Sequence, residues 1–172
     1  AGLDLAVATG KSRVGLDRVL AQSGQTSRFA ITRCASETRS KPDPQMLQEI
    51  LRAMDLQPDQ AVMIGDTTYD LDMAQAACVA AIGVTWGYHR PDMLASRRPH
   101  ALLERYEDVH VLLSRHLAEG RALALDAFGD GRERVAVVAA QLALVGDARE
   151  AARAGKNAEQ RHFGVAHRAV AV

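Results

Sequence analysis

Along its first two thirds the chain alternates between two rhythms of apolar and polar positions. Short, nearly unbroken apolar runs recur at Leu3–Ala8 (LDLAVA), Ala61–Ile64 (AVMI) and Val79–Trp86 (VAAIGVTW), with a shorter one at Phe29–Thr32 (FAIT). Runs of that length without a polar face suit strands buried on both sides of a parallel sheet. Between them the apolar spacing becomes helical. Leu16, Val19 and Leu20 share a face, as do Leu47, Ile50, Leu51 and Met54, and then Val109, Leu112, Leu113 and Leu117. Punctuation agrees with this division. Ser12 is placed to cap the first helix and Gly24 to stop it. Asp43 can cap the second, with Pro44 at its first position. Thr67 or Thr68 can cap a third that runs through Met73 and Ala77, and a short helix fits around Met93 within the loop Gly87–Pro99. The order strand, helix, strand predicts an α/β fold with a parallel sheet and right-handed crossovers.

From Ala118 the texture changes to Ala, Arg, Gly and Val with poor phasing. Arg134–Val145 reads equally as helix or strand, and Asp147–Ala154 as a helix stopped by Gly155. The expected division is a core domain over residues 1–117 and a tail over 118–172 of unassigned role, partly disordered in character.

Composition narrows the partners. The 172 residues include 21 Lys+Arg and 21 Asp+Glu, so no basic footprint invites a nucleic acid. No apolar run has membrane-spanning length and no signal peptide is recognisable, so no membrane partner is expected. Cys34 and Cys78 are isolated, which fits reduced thiols in the cytoplasm. Six histidines, His162 and His167 among them, form no zinc-type pair. Aromatic residues are only 4% of a chain that is 48% hydrophobic, so the core is built of small aliphatic side chains.

Candidate chemistry sits at the strand ends. Asp66 follows the run Ala61–Ile64, and Asp70 falls in the first turn of the next helix. Two carboxylates at the C-terminal edge of such a sheet suit a hard cation such as Mg²⁺. Acids in a helix's first turn also complement its dipole without any metal, and Asp72 is read as a solvated acid. Thr9 and Gly10 can cradle a phosphate with a hydroxyl and backbone N–H groups, or can form a plain strand-to-helix turn. Lys41, in a loop stiffened by Pro42 and Pro44, is either a positioned charge for an anion or a solvated surface lysine.

Three segments, ATGKS at Ala8–Ser12, SKPDP at Ser40–Pro44 and IGDTTYD at Ile64–Asp70, occur in one order at strand ends. Together they resemble motifs II, III and IV of the haloacid dehalogenase superfamily, in its phosphoglycolate-phosphatase-like branch. The resemblance covers about residues 1–117. It implies a three-layer, Rossmann-like parallel sheet of order 5-4-1-2-3. It also implies a Mg²⁺-dependent phosphatase that hydrolyses a small phosphorylated metabolite through an aspartyl-phosphate. Thr9 and Lys41 would be catalytic, Thr9, Gly10 and Lys41 would bind the phosphoryl oxygens, and Asp66 and Asp70 would hold the metal, Asp70 directly or through water.

The family's motif I, which carries the nucleophile on the central strand, should precede Leu3, and its cap domain should lie between motifs I and II. Neither is found in the 172 residues. The resemblance therefore implies an incomplete sheet and a chain inactive as given, with no nucleophile identified. Asp126, in ALDAFGD at Ala124–Asp130, resembles motif I only as a circular permutation would place it. The alternatives are a non-catalytic phosphate- or partner-binding module, or a fragment of a phosphomutase. Without a central strand, three outcomes are open. Leu3–Ala8 and Ala61–Ile64 close up on each other, a segment such as Arg134–Val145 fills the gap, or the fold is loose.

Overall fold

A computed structural model describes residues 2–118 and 134–140. Six strands form one sheet: β1 (Gly2–Thr9), β2 (Ile31–Cys34), β3 (Ala61–Gly65), β4 (Ala80–Val84), β5 (Ala101–Leu103) and β6 (Arg134–Ala139). Their spatial order is β2-β1-β6-β3-β4-β5, and every pairing is parallel. The helices are α1 (Arg13–Ser23), α2 (Gln45–Met54), α3 (Thr68–Ala76), α4 (Pro91–Ala95) and α5 (Tyr106–Ala118).

The centre of the sheet differs from the expected gap. β6 lies between β1 and β3, with Leu5 paired to Val137 and Val62 paired to the same residue from the other side. Of the three outcomes for the sheet, the second is the one observed. The reason is the backbone: strands buried at the middle of a sheet must satisfy their N–H and C=O groups along both edges. The run Arg134–Ala139, ambiguous by its own pattern, becomes a strand where two such edges need a partner. Residues 134–139, within the stretch of unassigned role, thus lie at the centre of the sheet.

Period-two burial then builds three layers. On one face Ala6, Met63, Ala136 and Val138 pack against Met46, Leu47 and Ile50 of α2 and against Leu71 and Met73 of α3. On the other, Val62, Ile64, Ile82 and Val137 meet Val109, Leu112 and Leu113 of α5, while Val7 meets Leu16 and Leu20 of α1. Alanines supply much of the sheet's inner face, as composition implied, and methionine and leucine from the helices fill what they leave.

Local signals are met with shifts of a residue or two. Ser12 caps α1 by accepting from Gly15 N at 3.3 Å, and Gly24 closes it at φ 66°. α2 begins one residue later than expected. Pro44 is the cap residue, and Asp43 acts from outside, its Oδ1 accepting from Gln45 N at 3.0 Å. β2 begins at Ile31 rather than Phe29, because Phe29 ends a 3₁₀ turn (Thr26–Arg28) and buries its ring against α1. Asp72 is paired with Arg97 at 2.8 Å, tying α3 to the segment after α4. Among the described residues, no helix is long and apolar enough to cross a membrane.

Candidate functional site

The C-terminal ends of β1 and β3, the loop before α2 and the tip of β6 enclose a cavity of about 630 Å³. Thr9, Gly10, Lys41, Asp66 and Asp70 all line it, so residues from three separate segments meet at one sheet edge. Asp126 lies outside the described residues.

Thr9 ends β1 and is buried, 5% exposed. Its carbonyl accepts from Ala35 N at 3.0 Å, which holds the strand tip, and its Oγ1 accepts from Lys11 N at 3.3 Å. A hydroxyl oxygen that accepts from a backbone amide keeps its own proton for an acceptor in the cavity. A Cβ on Gly10 would meet nothing within 4 Å, so open space stands in front of that turn.

Asp70 has a double engagement. Its Oδ2 accepts from Thr67 N at 3.0 Å and from Thr67 Oγ1 at 2.7 Å, while Thr67 Oγ1 accepts from Asp70 N, completing a capping box at the start of α3. Its Oδ1 takes the Lys41 ammonium at 2.5 Å. Asp70 is buried and Lys41 largely shielded, their side chains being 2% and 11% exposed. Gly65 is needed for this arrangement, since a Cβ there would overlap the Asp70 side chain.

Asp66, 2% exposed, is fastened from a different direction. Its Oδ2 accepts from Tyr88 N at 2.7 Å, and its carbonyl accepts from His89 N at 3.0 Å. Gly87 makes room for the carboxylate, because a Cβ there would fall on the Asp66 side chain. Burial pushes the Asp66 carboxyl above the usual carboxylate range, the Tyr88 N–H opposes this, Asp70 adds to it, and Lys41 offsets it in part.

Among the described residues there is no group of three or more His, Cys, Asp or Glu that could hold a metal. Mg²⁺ does not require one, since it binds through one or two carboxylates and keeps several waters. The donor set fits that ion: Asp66 offers hard oxygen chemistry in a place where ionisation costs free energy that a divalent charge would offset.

Pattern reading missed an aromatic cluster that reaches this cavity through one of its members, Tyr69. Tyr69, which lines it, lies 5.6 Å from the His89 ring, and His89 lies 5.4 Å from Tyr88, centroid to centroid. The sequence held one signal for it, the placing of Tyr69 directly before Asp70.

Comparison with known proteins gives a consistent picture. The profile of the haloacid dehalogenase-like hydrolases matches residues 1–84. The chain is 36% identical over 117 residues to the probable phosphatase IndB of Dickeya dadantii, covering 65% of this chain and 51% of that one. It is 27% identical over 113 residues to the phosphoglycolate phosphatase of Pectobacterium atrosepticum, covering 65% and 48%. A subfamily IA hydrolase of the same superfamily from Geobacter sulfurreducens superposes with a TM-score of 0.53 at 26% identity, over 64% of this chain and 48% of that one. The chain spans about half the length of the curated relatives it matches.

Proposed function

Through residues 1–84 the chain belongs to the haloacid dehalogenase-like hydrolase family, and on that premise we propose that its cavity is the phosphoryl site of a Mg²⁺-dependent phosphatase for a small phosphorylated metabolite. The observation that carries this reading is the meeting of the Thr9 hydroxyl, the Lys41 ammonium and the Asp66 and Asp70 carboxylates at one edge of a parallel sheet.

Phosphoryl transfer depends on positioning and charge neutralisation. Thr9 Oγ1 and the Gly10 N–H donate to phosphoryl oxygens, and Lys41 neutralises them. Asp66 would hold the cation, which would supply neutralisation of phosphoryl charge. Asp70 would hold it directly or through water while it keeps Lys41 aimed into the cavity. In this reading the ester is cleaved through an aspartyl-phosphate. The described residues around the cavity supply no further carboxylate for that step, since Asp66 and Asp70 already serve the cation and the lysine.

A second reading has its own support. Ala140, at the tip of β6, lines the cavity between the ends of β1 and β3 and has no group that could attack phosphorus. On this second reading the polypeptide of residues 1–172 taken alone binds phosphate and cation without turning an ester over. Free thiols at Cys34 and Cys78 support a cytoplasmic setting.

Titration of the chain with inorganic phosphate, followed by ³¹P NMR with and without Mg²⁺, tests the site. Saturable binding is expected, tighter with Mg²⁺ and lost in Lys41→Met. Binding that is indifferent to Lys41 would remove the phosphoryl assignment. Magnesium-dependent hydrolysis of p-nitrophenyl phosphate by residues 1–172 would overturn the binder reading, and its loss in Asp126→Asn would identify Asp126 as nucleophile.

A further inference from the structure

We propose that Tyr69, His89 and Tyr88 form a stacking ledge for a planar ring carried on or near the ester oxygen, so that the favoured ligand is an aromatic or heteroaromatic phosphomonoester. This rests on the phosphoryl assignment above and goes beyond it by naming the group attached to the phosphate.

The three rings are arranged in series. Tyr69 and His89 are inclined at 56° with centroids 5.6 Å apart, and His89 and Tyr88 at 39° with centroids 5.4 Å apart. Both tyrosines are held out of the core, Tyr69 at 53% and Tyr88 at 82% exposure. The chain has only three tyrosines, three phenylalanines and one tryptophan. Two of those seven rings stand in water, Tyr69 in the lining of the cavity and Tyr88 on a residue whose amide is bonded to Asp66, a concentration that folding does not require.

The ledge is joined to the site rather than merely near it. Tyr88 N donates to Asp66 Oδ2 at 2.7 Å and His89 N to the Asp66 carbonyl at 3.0 Å. His89 Nδ1 accepts from Thr68 N at 2.9 Å, the first amide of α3, which leaves the ring proton on Nε2 in the neutral form. Tyr69 follows on the same helical turn and precedes Asp70, the partner of Lys41. The backbone at Tyr88 and His89 is thus tied to Asp66 and the His89 ring to the start of α3, so the fold places the row of rings next to the residues of the phosphoryl site. A flexible aliphatic leaving group gains little from such a surface. A flat one gains an aromatic contact at small entropic cost, because it arrives rigid.

Calorimetric titration of the chain with phenyl phosphate and with methyl phosphate, in Mg²⁺, tests this. Both probes carry one phosphomonoester and differ in the ring. Phenyl phosphate is expected to bind roughly tenfold tighter, the size of one favourable aromatic contact. That ratio should fall toward one in Tyr88→Ala and in Tyr69→Ala and persist in Tyr88→Phe, which keeps the ring. Equal affinities in the unaltered chain, or a ratio that survives Tyr88→Ala and Tyr69→Ala, would remove the ledge and leave the phosphoryl site standing. Failure of both esters and of inorganic phosphate to bind would remove the phosphoryl site itself.

Discussion

Lys41 and Asp70, 29 residues apart in sequence, meet in a largely shielded ion pair, Nζ to Oδ1 at 2.5 Å. The pair joins the loop before α2 to the first turn of α3, and it aims the lysine into the cavity. It also gives Asp70 two tasks at once, since the other carboxylate oxygen closes the capping box with Thr67.

Removing one member of such a pair leaves a buried charge uncompensated, which typically costs about 3 kcal/mol or more. Lys41→Met and Asp70→Asn are each expected to lower stability by about that amount in urea unfolding. The double variant should lose about 1–3 kcal/mol less than the sum, because neither charge is then left alone. Strict additivity in the cycle would show that the two groups do not interact in solution.

Asp66, proposed to hold the cation, and Asp72, read as a solvated acid, occupy different surroundings. Asp72 is half-exposed and turned to Arg97, whereas Asp66 is buried in the cavity. Asp66→Asn should abolish most Mg²⁺ binding in calorimetry, and Asp72→Asn should leave it almost unchanged. Equal effects would favour a helix-dipole role for these acids over a cation site.

The pH dependence of stability has one clear contributor away from the cavity. Arg13 grips Glu37 through Nε to Oε1 at 2.7 Å and Nη2 to Oε2 at 2.8 Å, holding the Glu37 carboxyl below the usual range, burial opposing. A depressed acid stabilises the fold fully above its unfolded pKa, about 4.3 for Glu, and loses that contribution as pH falls through its lower folded value. About a third of each side chain is exposed, so screening limits the pair to about 1 kcal/mol or less. Glu37→Gln should therefore cost up to about 1 kcal/mol at neutral pH, and the difference from the unaltered chain should vanish in strongly acid solution. A difference independent of pH in denaturant titrations would assign the effect to packing.

β6 is expected to be as important to stability as any strand with helices on both sides. Val138 is fully buried and packs in the cluster that contains Met46, Leu47 and Met63. Val138→Ala removes two methyl groups from it and should cost about 2 kcal/mol, from lost burial and the cavity left behind. A change within a few tenths of a kcal/mol, with the transition equally steep, would mean that β6 does not hold the centre of the sheet in solution.

Much of this protein was legible in one dimension because the signals concerned are local. The runs at Leu3–Ala8, Ala61–Ile64 and Val79–Trp86, with the spacing of Leu47, Ile50, Leu51 and Met54 between them, determine strands and an amphipathic helix through backbone geometry and side-chain period alone. Caps at Ser12 and Thr67 are equally local, since a hydroxyl reaches an amide two or three residues away. The three short motifs, each weak by itself, also identified the edge of the sheet where a cavity was to be sought.

Tertiary structure decided whatever depends on a partner far along the chain. Arg134–Ala139 had no preference of its own and became a strand because β1 and β3 each presented an edge that a buried backbone must fill. That Asp70 would take Lys41 from another segment, and Asp72 would take Arg97 instead of solvent, is visible only in the folded chain. Tyr88 and His89 carried no pattern in the loop after β4. They matter because their amides hold Asp66 and Gly87 leaves space for its carboxylate, contacts that only folding brings within hydrogen-bond reach.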